Sequence, residues 1–386
     1  MTLTKTPLLG CCLLGAIWAL LGCQSAPSQC SCCQKKASPT TCPTTSVATA
    51  ELQRFEYVAP KMGTVFRMVM YAPDQATADK ASAAAWARVD QLNAMLSDYD
   101  PNSELSKLGQ RTLSGPMTEA VPVSDDFYRL LEDSIEAAKE SEGTFDITVG
   151  PLSQLFRRAR RQETLPSPAR IAEAKKSVGY QYIKLDAAHH AVQLLAAKMR
   201  LDVGGIAKGY TSMAVLKVLR EQFGINSALC GAAGDVAIGD PPPGKAGWII
   251  GLEQLDASAS SRGAYVQLRN YGISTSGDTE RFVIIDGIRY SHIIDPRTGY
   301  GLTNRINVSA IAPNDTLADW LAAAVCILGP EKGLALVERT PGAAARITKV
   351  EGDGIKVWQS RRFNDFVVHP PADTQPVQTQ PADTLP

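Results

Sequence analysis

The chain has no surplus of charge of either sign: 39 basic and 39 acidic residues cancel over 386 positions. That balance excludes the broad basic surface by which proteins hold nucleic acid. Aromatic residues are scarce at 6%, although 45% hydrophobic residues still suffice for a substantial core. The apolar run near the start, Pro7 to Leu21, is too short to favour a membrane span. Phosphate-binding motifs of the Walker A type are missing too, because the glycine-rich stretch at 204–209 lacks both the long glycine spacing and the Lys-Ser/Thr pair. Histidine occurs four times, which leaves few candidates for a neutral base.

What is present begins with a targeting segment. Lys5 supplies a positive region, the apolar run follows, and Leu20-Leu21-Gly22-Cys23 resembles the bacterial lipobox, cleaved before a cysteine that is then lipidated. Residues 1–22 are accordingly expected to be a lipoprotein signal peptide. Lipidated Cys23 would hold the protein at a membrane surface without spanning it, facing the periplasm, with inner or outer membrane left open. The simpler alternative is an ordinary signal peptide with an incidental cysteine. Residues 23–50 are a Ser/Thr/Pro-rich linker carrying Cys30, Cys32, Cys33 and Cys42. No histidine accompanies this cluster and its spacing matches no zinc pattern, so a tether, disulfide-linked or not, is favoured over a metal site. Cys230 and Cys326 lie in apolar sequence and read as small buried residues. Residues 370–386 repeat Pro-Ala-Asp-Thr at Pro371 and Pro381 and read as a disordered tail.

The folded part is therefore residues 51–369. Tyr57 to Tyr71 alternates as a strand interrupted at Gly63, and Ala76 to Leu96 has helical spacing. Ser124 is placed to cap a helix running to Ser141. Arg157 to Arg161 reads as a solvated helical face, and Pro168 to Val178 as a short helix. Tyr182 to Leu201 reads as two strands about a turn, Ala228 to Ile311 as several short strands, and Thr316 to Leu328 as a helix. Helices interleaved with non-adjacent strands predict an α+β fold rather than a doubly wound sheet.

Four segments carry chemistry. In Leu201 to Tyr210, LDVGGIAKGY, an acid and two glycines precede a helix predicted to run to about Leu219, and its N-terminal amides suit an anion. Lys208 adds a point charge there. Gly231 to Asp235, GAAGD, reads on its own as a tight strand turn ending in an acid. His292 sits among polar turn-forming residues after Ile273 to Asp278 and Arg281, and a neutral imidazole there could take a proton from a hydroxyl, oriented by Ser291 or Asp295. Asp319 is one carboxylate on an otherwise apolar helix, where a buried acid needs a partner such as a metal.

Taken in order, these segments resemble the ApbE-type FAD:protein FMN transferases, which are bacterial and often lipoproteins. Met62-Gly63-Thr64, Leu96 to Tyr99, Ser103 to Ser106, Phe145 to Leu152, LDVGGIAKGY, the Ser274 to Asp278 segment and Ser291 to Gly299 all take part, so the resemblance covers essentially the whole folded region. It implies an ApbE-like fold of mostly antiparallel strands with flanking helices. It also implies Mg²⁺-dependent transfer of FMN from FAD to a threonine or serine hydroxyl of a target protein, with release of AMP. The acceptors would be flavin-carrying subunits of membrane redox complexes. By the same resemblance Met62, Tyr99, Thr148, Val149, Gly150, Asp202, Lys208 and Ile294 contact FAD. Gly205, through its carbonyl, and Asp319 bind the metal, and His292 is the base.

The sequence departs from the family where a threonine usually follows the metal-binding acid by four residues. Ala323 stands there, and Ala322 where some members have a second acid. Ala233 replaces a frequent glycine. The missing oxygen at 323 supports one alternative, a non-catalytic FAD-binding or storage lipoprotein; a related one, which needs the metal but no acceptor, is a FAD pyrophosphatase yielding FMN and AMP.

Overall fold

In the computed structural model the described residues are 51–252, 255, 264–277, 282–369 and 377–378. The signal peptide, Cys23, the linker with its cysteines, Asp278, Arg281 and all of the tail except Val377 and Gln378 lie outside them.

The expected first strand is in fact a hairpin. β1 (Gln53–Lys61) and β2 (Thr64–Ala72) pair antiparallel with Lys61 opposite Thr64. Both turn residues have positive φ, Met62 at 50° and Gly63 at 69°, the two-residue turn whose twist matches that of the strands. Alternation along β2 sends Phe66, Met68 and Met70 to one side of the sheet and Val69 to the other. Six further strands follow: β3 (Ala228–Ala232), β4 (Asp235–Ile238), β5 (Gly272–Gly277), β6 (Ile306–Ala312), β7 (Ala344–Glu351) and β8 (Gly354–Gln359). Their order across the sheet equals their order in the chain, and each neighbouring pair is antiparallel. The insertions between strands carry the helices, which gives the α+β architecture expected.

α1 (Gln75–Leu96) starts where Asp74 accepts from the Thr77 amide at 2.7 Å. Ser124 stands at the N-cap of α2 (Asp125–Glu140), but its hydroxyl donates to Glu104 at 2.6 Å instead of capping. α3 (Gly150–Gln162) and α4 (Ala207–Phe223) follow. α5 (Asp315–Arg339) is longer than its sequence suggests, because helix resumes beyond a kink at Gly329 and Pro330. Gly329 has φ 75° and ψ −178°, a conformation essentially reserved for glycine. By length and apolarity α5 could cross a membrane, yet Ala318, Leu321, Ala324 and Val325 are fully buried in the core.

α1 and α4 pack against Phe66, Met68 and Met70, while a small sheet of Trp248–Gly251, Tyr265–Leu268 and Val367–Val368 covers Val69, Ile273 and Ile311 on the opposite face. Val377–Gln378, from the tail expected to lack structure, pairs parallel with Ile250–Gly251, filling an otherwise open strand edge. Cys230 and Cys326 are both fully buried, as expected.

Two close approaches decide where the helices meet. A Cβ on Gly209 would collide with the Asp315 carbonyl, and one on Gly272 with the Asp315 backbone. Absence of side chains at these two positions lets α4, α5 and β5 converge on a single point.

Candidate functional site

LDVGGIAKGY approaches this point through irregular chain and a turn that leads into α4. Asp202 accepts the Gly204 amide at 3.0 Å, closing the glycine turn that ends in α4. No side chain caps α4 at Ile206. One of the first-turn amides, Gly209 N–H, instead donates to Asp319 Oδ2 at 3.1 Å across from α5. A carboxylate at a helix N-terminus is favourable both as a hydrogen-bond acceptor and toward the dipole.

Lys208, predicted to meet a phosphate, directs its ammonium at carboxylates: 2.5 Å from Asp235 Oδ2, outside hydrogen-bond angles, and 3.6 Å from Asp319 Oδ1. Its side chain remains 26% exposed, whereas those of both acids are 2% exposed. Asp235 also accepts from the Ser274 hydroxyl. Asp315, one helical turn before Asp319, is fully buried, and neither of its carboxyl oxygens has a hydrogen-bond partner. The Val236 amide lies near enough to favour its charged form without reaching hydrogen-bond geometry.

Three carboxyl groups thus crowd one ammonium. Burial and then Asp235 push Asp319 up to about 7. Burial, Asp235 and Asp319 hold Asp315 well above the usual carboxylate range. Burial pulls Lys208 down, but the Asp235 and Asp319 charges overcome it and raise it above its ordinary value. A further cation bound here would favour the ionised forms of these carboxyl groups.

The residues expected at the metal fit a hard ion of low protein demand. Gly205 lies beside α5, where a Cβ built on it would stand 3.6 Å from Ala323 Cβ and 3.2 Å from the Phe145 ring. Position 323 therefore faces Gly205 and offers only a methyl. No group of three or more His, Cys, Asp or Glu residues among the described ones has metal-binding geometry. Mg²⁺ needs no such group, being commonly held by one or two carboxylates with waters and substrate phosphates completing its shell.

The remaining expected FAD residues divide by what is left to them. Thr148 is fully buried and its hydroxyl is used internally, donating to Asp146 at 2.7 Å and accepting from the Gly179 amide at 2.7 Å. Gly150 abuts the Arg200 backbone so closely that a Cβ would overlap it. Ile294 packs into an apolar cluster with Leu152 and Phe156, and Val149 leans on the same cluster. Thr148, Gly150 and Ile294 can therefore present mainly backbone. The Asp202 amide donates to the Ile147 carbonyl at 2.7 Å, tying the Ile147–Val149 turn to the glycine segment. Met62 occupies the β1–β2 turn, partly buried against both helix-side clusters. Tyr99 is 77% exposed.

Arg157, taken from the sequence as solvated, is not: it bridges Asp98 and Asp202, while Arg158, Arg160 and Arg161 are exposed. Helical periodicity could have separated it, since Phe156 and Ala159 on the same helix are buried.

His292 is exposed and follows the strand Ile288–Ser291. The two groups expected to orient it have other bonds. Asp295 takes both Nε and Nη2 of Arg297, at 2.9 and 2.8 Å, and Ser291 Oγ accepts the Ile293 amide at 3.1 Å. Asp235 and Asp315 were not among the expected site residues. Two acids four apart on an apolar helix, Asp315 and Asp319, were the available sign of the second. A separate cavity of about 830 Å³ between α1, α2, α4 and the start of α5 holds none of the candidate residues.

Comparison with known proteins places this geometry in context. A sequence profile described as the ApbE family matches residues 62–347. A Klebsiella pneumoniae protein named FAD:protein FMN transferase is 30% identical over 374 residues, covering 95% of this chain and 98% of its own. A Treponema pallidum protein of the same name is 32% identical, covering 76% and 83%. Among solved structures, a flavin transferase ApbE from Vibrio cholerae superposes with TM-score 0.73 at 25% identity, covering 82% of this chain and 99% of its own. An ApbE protein from Thermotoga maritima gives 0.72 at 29% identity, covering 82% and 100%.

Proposed function

The chain belongs to the ApbE family, and from that premise we propose that it transfers FMN from FAD to a hydroxyl side chain, threonine or serine, of a target protein, releasing AMP. The observation that carries this reading is the meeting of Lys208, Asp235 and Asp319 at the start of α4, beside the Asp202 turn and Gly205, in a chain aligned almost end to end with named transferases.

His292 takes the proton of the acceptor hydroxyl. The oxygen then bonds to the phosphorus that bears riboflavin, and the pyrophosphate P–O bond to AMP breaks. Asp319 and the Gly205 carbonyl would hold Mg²⁺, which when bound supplies charge neutralisation at the pyrophosphate. Lys208 adds positive charge at the same end of α4, where the helix dipole also favours phosphate oxygen. Tyr99 offers an exposed ring for the flavin, and the Thr148 to Gly150 backbone a wall.

The chain is further proposed to act from a membrane, anchored through Cys23 on the periplasmic side, on flavin-carrying subunits of redox complexes. The signal-like sequence supports this placement. Ala323 favours one rival, a protein that binds FAD without transfer.

The test follows AMP release with FAD and Mg²⁺, with and without a hydroxyl-bearing acceptor domain. Acceptor-dependent AMP release is expected, abolished by EDTA and reduced on the order of 10²–10⁴-fold in His292→Ala while FAD binding persists. AMP release indifferent to the acceptor would mean hydrolysis, and no AMP with FAD retained would mean a binding protein. Normal transfer by His292→Ala would remove the assigned base.

A further inference from the structure

We propose that Arg157 is a positioning residue of the flavin site, holding Tyr99 and Asp202 together and neutralising the Asp98 and Asp202 carboxylates beside the bound anionic dinucleotide. This deepens the flavin reading above and rests on it.

Arg157 lies two turns into α3 from Gly150. Its Nη1 donates to Asp98 Oδ2 at 2.5 Å and its Nη2 to Asp202 Oδ2 at 3.2 Å. The guanidinium carbon stands 4.4 Å from the centre of the Tyr99 ring. A single planar cation therefore joins three segments distant in sequence: the loop after α1, the middle of α3 and the glycine turn before α4. Arginine suits such a place because its fork can serve two carboxylates while its face stacks on an aromatic ring.

The local charges make the residue necessary. The side chains of Arg157, Asp98 and Asp202 are only 25%, 19% and 16% exposed, so solvent screens them incompletely. Burial, and then the charge of Asp202, hold Asp98 above the ordinary carboxylate range even with Arg157 in place. Without the guanidinium, two half-buried carboxylates would face each other next to a ligand that brings its own diphosphate. The Tyr99 loop would also lose its tie to α3. Its other bonds stay within residues 97–110: Ser97 Oγ accepts the Tyr99 and Asp100 amides, Asp100 accepts the Asn102 amide, Ser106 Oγ donates to the Ser97 carbonyl and Gln110 Nε2 to the Pro101 carbonyl. Exposed at 77%, the Tyr99 ring depends on the guanidinium for a fixed orientation from which to stack on a flat ligand.

Quenching of FAD fluorescence measures the effect on the full chain, in parallel with the kinetics of FMN transfer. Arg157→Met is expected to weaken FAD binding on the order of tenfold or more, because it strands two buried charges. The KM for FAD should rise by a larger factor than kcat falls. Adding Asp98→Asn to Arg157→Met should restore most of the affinity, which a merely structural role would not produce. Arg157→Lys should fall between, and should Arg157→Met fail to fold, Arg157→Lys with and without Asp98→Asn makes the same comparison. Equal FAD binding by wild type and Arg157→Met overturns the assignment alone, as does failure of Asp98→Asn to restore affinity in either background. Wild-type protein that does not bind FAD overturns the flavin reading and this assignment together.

Discussion

Asp319 and Lys208 were legible as single residues, because an acid on an apolar helix and a lysine opening a glycine-led helix are unusual by type alone. Their mutual contact, and the part played by Asp235 and Asp315, were not. Those depend on α4, α5 and β4 meeting in space, which no local pattern encodes. Arg157 was misread for the same reason: an arginine-rich helix turn looks solvated until a partner carboxylate, 45 positions away at Asp202, is placed beside it. A residue-scale prediction concerns Asp133 on α2, whose carboxyl is raised to about 6 by burial, Glu136 and Glu132. Unfolded, the group ionises near 3.8, so between these values the folded state binds more protons. The resulting stability is fully present below about pH 4 and is lost as the pH rises through about 6. Discounted for its partial exposure, the loss is on the order of 1 kcal/mol. Asp133→Asn should therefore be more stable than wild type at about pH 8 and equal to it at about pH 4, by chemical denaturation. A pH-independent difference would contradict the assigned cause.

Among elements, α1, α2 and the short helix Pro168–Lys175 match the sequence reading to within a few residues, and the hairpin Ile183–Asp186 with Ala191–Leu194 forms as read but ends seven residues before Leu201. Their apolar spacing is regular and their ends are marked by capping or turn residues. β1 and β2 were fused because both alternate, and only the positive φ at Met62 and Gly63 distinguishes a reversal from an interruption. α5 was cut short at its glycine and proline, although packing beyond the kink, at Leu336 and Val337, carries the helix onward. The α4–α5 contact gives a prediction at this scale. Gly209→Ala places a methyl against the Asp315 carbonyl and 3.0 Å from Asp319 Cβ. The helices must separate, at a cost of about 1–3 kcal/mol. The denaturation midpoint should fall and the response to Mg²⁺ weaken together, since the same glycine amide holds Asp319. Unaltered stability would mean that the two helices do not touch there.

For the molecule as a whole, the α+β class and the order of motifs could be read from the sequence, but not that the eight strands of the main sheet keep chain order across four long insertions, three of which carry the expected site residues. Those insertions deliver the site: 73–227 brings Tyr99, Asp202, Lys208 and Arg157, 278–305 brings His292, and 313–343 brings Asp319. Ala323 is where the assembled site is poorest, a methyl facing Gly205. Ala323→Thr should lower the Mg²⁺ concentration giving half-maximal thermal stabilisation. An unchanged titration would mean that position 323 does not face the ion.

The most direct measurement is the intact mass of a threonine-bearing acceptor domain after incubation with this protein, FAD and Mg²⁺. The account predicts a gain equal to FMN less one water, absent with EDTA and absent when the acceptor threonine is replaced by alanine. An acceptor of unchanged mass, under conditions in which a known family member modifies it, would contradict the assignment as a flavin transferase.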